Sequence, residues 1–225
     1  MLDYELIEKQ QLQSNILKLR RKIDQGRIPE DVMLKVRNFS EKFNIDRDFL
    51  VDRLLRDDLL ILNFMKEPQK QTLHETKAFE YLCSFEQIME PKNLPSGGDN
   101  ALYVHGGQVI KGSELTSRSR GKSIDFYWKM KVGGKIVDCY ATHKYTKTNG
   151  GAQDNQFKDV TKFFADAAEY RGGDKFFFAI LDGPYYQMPY HGSKSKIEYL
   201  NATYQTQSNR ILATTINDLK DTVFS

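Results

Sequence analysis

The chain is expected to fold as an α/β protein, a mixed central sheet flanked by helices with a helical N-terminal layer, and three observations lead there. Apolar residues recur at helical spacing through roughly the first ninety positions. From Pro95 onward the texture changes to short β-branched and aromatic runs separated by glycine turns. Helical patterns then return between those runs, which is the alternation that builds α/β cores.

In order, Leu12, Ile16, Leu19 and Ile23 mark a long first helix, punctuated by Gly26 and Pro29. Asp46-Arg47-Asp48 opens a second apolar run from Phe49 to Met65, whose many leucines predict burial on several sides. Pro68 breaks it. Thr72 with Glu75 has capping-box spacing and predicts a helix through Phe79, Leu82 and Phe85, the helices ending near Pro91. Strands are expected at 101–104, 123–130, 135–141, 175–181 and 210–214. Helices are expected near 155–170 and 216–223. The glycine links are too short to separate independent domains, so residues 1–68 read as a helical N-terminal region and 69–225 as the core.

Composition sets bounds. The chain has 225 residues, 40% hydrophobic and 12% aromatic, enough for a substantial core. A formal charge of +3 says little, but basic residues outnumber acids between Lys111 and Lys147. Cys83 and Cys139 stand in apolar runs without zinc spacing, which predicts buried free thiols in a reducing compartment. No segment reads as a membrane span or signal peptide, so the expectation is a cytoplasmic protein without a membrane partner.

The chemistry is expected around Ser123 to Lys144. Asp125 lies in one apolar segment, Asp138 follows Lys135-Ile136-Val137 in another, and Val132-Gly133-Gly134-Lys135 between them reads as a tight hairpin. Pairing would then set both carboxylates within reach of one hard cation. A buried aspartate is costly unless paired or coordinating; the plain alternative for either acid is a strand-end residue facing water. Asp138, Tyr140, Thr142 and Lys144 share one face of a regular strand, and His143 points away.

These residues resemble the PD-(D/E)XK nucleases, and within them the type II restriction endonucleases. The matching elements are Gln71-Thr72-Leu73-His74-Glu75, Ser123-Ile124-Asp125, Ile136-Val137-Asp138-Cys139-Tyr140 and the polar loop 146–153, with further similarity at 177–186 and 211–219. The resemblance implies a restriction-endonuclease-like fold, Mg2+ held by Asp125, Asp138 and Glu75, and a lysine two residues after the second acid. Tyr140 stands at that lysine position. Either Lys144 replaces the lysine one strand repeat on, or Thr142-His143-Lys144 is the motif with its acid missing, or the chain is inactive or altered; the apolar approach Ile-Val-Asp and the poor magnesium binding of threonine favour Asp138 with a displaced Lys144. Glu75 reads equally as a capping-box residue or an added ligand.

Arg118, Arg120, Lys122, Lys147 and Lys194 are expected to contact phosphate. Asn149, Gln153, Asn155 and Gln156 are candidate base-reading amides, and Tyr185, Tyr186, Tyr190 and His191 supply planar groups in a loop suited to a groove. Together these imply a magnesium-dependent type II restriction endonuclease that cuts double-stranded DNA at a palindromic site as a homodimer. The alternatives are a structure-specific repair or recombination nuclease and a catalytically silent DNA-binding module.

Overall fold

The computed structural model describes residues 1–64, 70–115, 121–148, 151–205 and 210–223. It divides into two compact units, Asp3–Leu73 and a larger one of Met1–Leu2 with His74–Ser225. The division falls inside a helix, past the 68/69 boundary read from the sequence.

The smaller unit is helical: α1 (Tyr4–Asp24), α2 (Glu30–Phe43), α3 (Arg47–Arg56) and α4 (Asp58–Phe64). Asp3 caps α1, its carboxylate accepting from the N–H groups of Glu5 and Leu6, and Asp46 caps α3 through Phe49 N–H. Leu19, Ile23, Val36, Leu50, Leu54 and Ile61 form the buried centre. The second apolar run therefore is not one helix buried on several sides. It breaks at Asp57, whose carboxylate accepts from Leu59 N–H, and Phe49, Leu55, Leu59 and Leu62 are exposed. α2 had no sequence expectation.

The larger unit begins within α5 (Lys70–Leu82) and continues through β1 (Met89–Asn93), β2 (Leu102–His105), β3 (Gln108–Lys111), β4 (Phe126–Val132), β5 (Lys135–Tyr145), α6 (Gly151–Ala168), β6 (Lys175–Asp182), α7 (Pro184–Gln187), β7 (Pro189–His191), β8 (Lys194–Ser195), α8 (Lys196–Tyr204), β9 (Ile211–Thr214) and α9 (Leu219–Val223). Five strands make a mixed sheet in the order β1-β4-β5-β6-β9. β4 is antiparallel to both its neighbours, while β5, β6 and β9 run parallel. Parallel neighbours need crossovers, here α6 and the unanticipated α8, whose capping box joins Ser195 and Glu198. β2 pairs with β3 outside the central sheet, and its Tyr103 makes an isolated bridge to Ser123. β1 was missed because Pro91 argues against a strand; the sheet edge tolerates it.

Gly133 and Gly134 both take positive φ, so the expected two-residue turn joins β4 to β5. One sheet face carries Tyr140, Phe177, Ala179, Ile211 and Ala213 under the apolar sides of α6 and α8. The other carries Phe126, Trp128 and Phe178, with Trp128 stacked on Phe178 and Phe79 of α5 against Phe126. Among the described residues no helix is long and apolar enough to cross a membrane.

Gly183, between β6 and α7, has φ +98°, and a Cβ there would stand 2.3 Å from the Thr146 carbonyl oxygen. Gly183→Ala combines a glycine-only backbone with a clash, so it should cost at least about 2 kcal/mol and lower Tm by roughly 4–8 °C. Thermal unfolding followed by circular dichroism tests this, and an unchanged Tm refutes it.

Candidate active site

β5 runs on past the start of β4, and Asp125 occupies the end of their pairing. Asp125 N–H donates to the Ala141 carbonyl, after which the Asp125 carboxylate faces β5 with its side chain 1% exposed. Oδ2 accepts from Thr142 Oγ1 at 3.0 Å and from the His143 peptide N–H at 2.8 Å. Oδ1 takes Lys122 Nζ at 3.3 Å, and Lys144 Nζ lies 4.0 Å from Oδ2. A buried carboxylate keeps its charge only with such compensation.

Glu75 enters from α5. Burial first and the Asp125 carboxylate second push its pKa above the ordinary range, opposed by His143, Lys144 and Lys122. The two acids thus lie in one electrostatic environment. Burial pulls Lys144 down to about 8, with Asp125 opposing and the neighbouring Lys122 ammonium reinforcing. Because α5 begins at Lys70, Thr72 is inside the helix and cannot cap it, so the capping-box alternative for Glu75 falls away.

Asp138 is elsewhere. The register pairs Phe126 with Ala141 and Lys129 with Asp138, so Asp125 and Asp138 share a face but stand about four strand residues apart, roughly 13 Å. The expectation that the hairpin brings both acids to one cation is not met; a tight turn aligns residues equidistant from it, and these two are not. Asp138 instead accepts from the Tyr127 hydroxyl at 2.7 Å. Tyr140 pairs with Tyr127 and stacks against Phe177 in the core. The segment in register with Asp125 is Thr142-His143-Lys144, the alignment with a threonine at the acid position.

His143 points to the opposite face, as strand alternation requires. Its Nε2 lies 3.1 Å from Asp182 Oδ2, and Asp182 Oδ1 accepts from Ile216 N–H at 2.9 Å. Sequence reading missed Asp182, although it carries the same signal as Asp125, an acid closing an apolar run.

Of the expected DNA contacts, Arg118, Arg120 and Asn149 fall outside the described residues. Lys122 is drawn into the Asp125 cluster. Lys147 is exposed, Gln153 and Asn155 lie on the first turns of α6, and Gln156 Oε1 is 3.1 Å from Thr146 Oγ1. Tyr185 and Tyr186 are buried, Tyr185 donating to Asp154 at 2.8 Å and Tyr186 lying 3.3 Å from Thr146 Oγ1. Their side chains are therefore core, not base-contacting surface. Tyr190, His191 and Lys194 are exposed on the β7–β8 hairpin.

Among the described residues there is no group of three or more His, Cys, Asp and Glu side chains arranged to hold a metal. Asp125, Glu75 and the Thr142 hydroxyl are oxygen donors of the kind a hard cation takes. Magnesium is commonly held by one or two carboxylates, with water and substrate phosphate completing its shell, and in this structure both Asp125 oxygens are engaged by Lys122, Thr142 and His143. Comparison with protein-family models, curated proteins and solved structures finds no match for this chain.

Asp182 serves two buried donors at once. Asp182→Ala should cost about 3–5 kcal/mol, because it leaves His143 and the Ile216 N–H without their shared acceptor. Urea denaturation measures this, and a loss below about 1 kcal/mol would mean the contact contributes little.

Proposed function

We propose that the chain is a magnesium-dependent deoxyribonuclease of the restriction type, on a PD-(D/E)XK-like core, cutting duplex DNA at a specific palindromic site as a homodimer. The observation that carries this reading is the meeting of Asp125, Lys144 and Glu75 at one end of the β4–β5 pairing, in register with Thr142-His143-Lys144. The mixed sheet with β4 antiparallel and β5, β6 and β9 parallel supports it, as do Lys122 and Lys144 beside Asp125.

In this reading Asp125 and Glu75 would hold the cation. When bound, it lowers the pKa of water and offsets charge on the phosphate. Thr142 and the His143 N–H fix the orientation of the Asp125 carboxylate. Lys144, its ammonium held beside that carboxylate and mostly shielded from water, orients the attacking water and faces the charge that grows on the phosphate oxygens. Lys122 neutralises the other oxygen of Asp125. Asp138 and Tyr140 take no part.

Incubating supercoiled plasmid with the protein and MgCl2 tests the reading, and discrete linear fragments that EDTA abolishes are the expected result. Asp125→Asn and Lys144→Ala should each cut at least about a hundredfold more slowly, a loss typical of removing one catalytic group. Asp138→Asn should cut within about threefold of wild type. An active Asp125→Asn protein, or an inactive and folded Asp138→Asn protein, overturns the assignment.

One observation favours a second reading. Thr142 stands where the resemblance implies an acid, which suits a catalytically silent DNA-binding module. Duplex binding with no magnesium-dependent cleavage on any substrate would select it, whereas preferential cutting of branched DNA would select a repair nuclease.

A further inference from the structure

Lys196 is the first residue of α8, and its side chain is buried to 6% exposure. Its ammonium sits over three rings: 4.0 Å from the centroid of Tyr185, 5.2 Å from Tyr190 and 5.9 Å from Phe157. An ammonium has three hydrogens to donate, yet within the described residues Lys196 makes no hydrogen bond and no ion pair. Asp154, whose charge acts on Lys196, already accepts from the Tyr185 hydroxyl. Among the described residues Trp128 Nε1 is the one fully enclosed side-chain nitrogen or oxygen without a hydrogen-bond partner. Lys196 Nζ must therefore keep an opening to solvent between the rings.

Aromatic faces attract a cation but accept few of its hydrogen bonds. Burial pulls the Lys196 pKa below its ordinary value while Asp154 pushes it up. What the cage lacks is an oxygen anion at its opening. Its position is fixed relative to the candidate active site. Thr146, two residues beyond Lys144, accepts at its carbonyl from Tyr185 N–H at 3.3 Å, and its hydroxyl reaches Tyr186. Tyr190, half exposed, rests on Tyr199 beside the opening, a ring platform next to a cation, as in sites that track a nucleic-acid strand.

We propose that Lys196 is a phosphate seat: the caged ammonium binds one backbone phosphate of the nucleic acid whose cleavage is assigned to Asp125 and Lys144, at the end of β5 where Thr146 bonds Tyr185 of the cage. This rests on the function proposed above. It also moves the main phosphate contact of this hairpin from the exposed Lys194 to a lysine already held in place, which loses less side-chain freedom on binding.

The test uses the full chain carrying Asp125→Asn, with binding to a fluorescein-labelled duplex of mixed sequence followed by anisotropy across a KCl series. Adding Lys196→Met, which keeps the apolar stem in the cage, should weaken binding roughly tenfold near 0.1 M salt and reduce the slope of log K against log[salt] by about one. An unchanged affinity and slope overturns the seat and leaves the nuclease reading standing. No duplex binding by the parent protein overturns both. A second measurement does not depend on the variant folding: lysine acetylation read by mass spectrometry with and without duplex. Protection of Lys196 supports the seat, and equal modification in the two conditions overturns it.

Discussion

The arrangement depends on one buried carboxylate. Asp125 sits at the start of β4 with almost no exposed surface, and its two oxygens collect a hydroxyl, a peptide N–H and a lysine ammonium, with a second ammonium at 4.0 Å. Each of those donors comes from a different constraint: Lys122 from the chain leading into β4, and Thr142, His143 and Lys144 from consecutive positions on β5. Removing the carboxylate's charge would leave two lysines facing each other in a partly dry space, and like charges there repel strongly. Burial raises Glu75, with Asp125 adding to it, and burial lowers Lys144, with Asp125 opposing it and Lys122 reinforcing it, so the site is a set of mutually dependent groups, not a row of separate ones.

β5 divides its work between two faces. Thr142 and Lys144 project toward Asp125, while His143 between them projects the other way and meets Asp182. His143 also donates its peptide N–H to Asp125. One residue therefore ties the site to the far side of the sheet, where Asp182 reaches the chain entering α9 through Ile216. A strand fixed at both its ring and its backbone cannot slide by one position without breaking the buried His143–Asp182 contact and turning Lys144 away. That accounts for a buried polar contact in a place where apolar packing would serve stability equally well.

Much of this was legible in the sequence. The glycine pair at 133–134 requires positive φ, so hairpin and register followed from it, and the apolar runs of β5 and β6 and the amphipathic stretch of α6 stood out by period. The same register also locates the partner of Asp125. Counting outward from the turn sets Phe126 against Ala141, so the partner of Asp125 had to lie near Thr142 and not at Asp138. The motif Ile-Val-Asp drew attention because its composition resembles a familiar pattern. Strand arithmetic outweighs that resemblance, since pairing geometry is fixed and short motifs are degenerate.

The parts that were not legible share a cause: composition was read without knowing what covers it. Tyrosines in a polar loop looked like recognition surface, but α7 turns Tyr185 and Tyr186 into the core and leaves only Tyr190 outside. The leucine-rich run of α3 and α4 looked buried all round, yet it splits at Asp57 and shows water several large apolar side chains. α8 is short, and its capping box at Ser195 and Glu198 was the available sign of it. Recognising α8 would have changed the reading of Lys196 as well, because a lysine at the first helical position, one residue after a buried cap, is held where the cap holds it. Lys194 and Lys196 look alike in the sequence; the helix start between them leaves one in solvent and sets the other among aromatic rings.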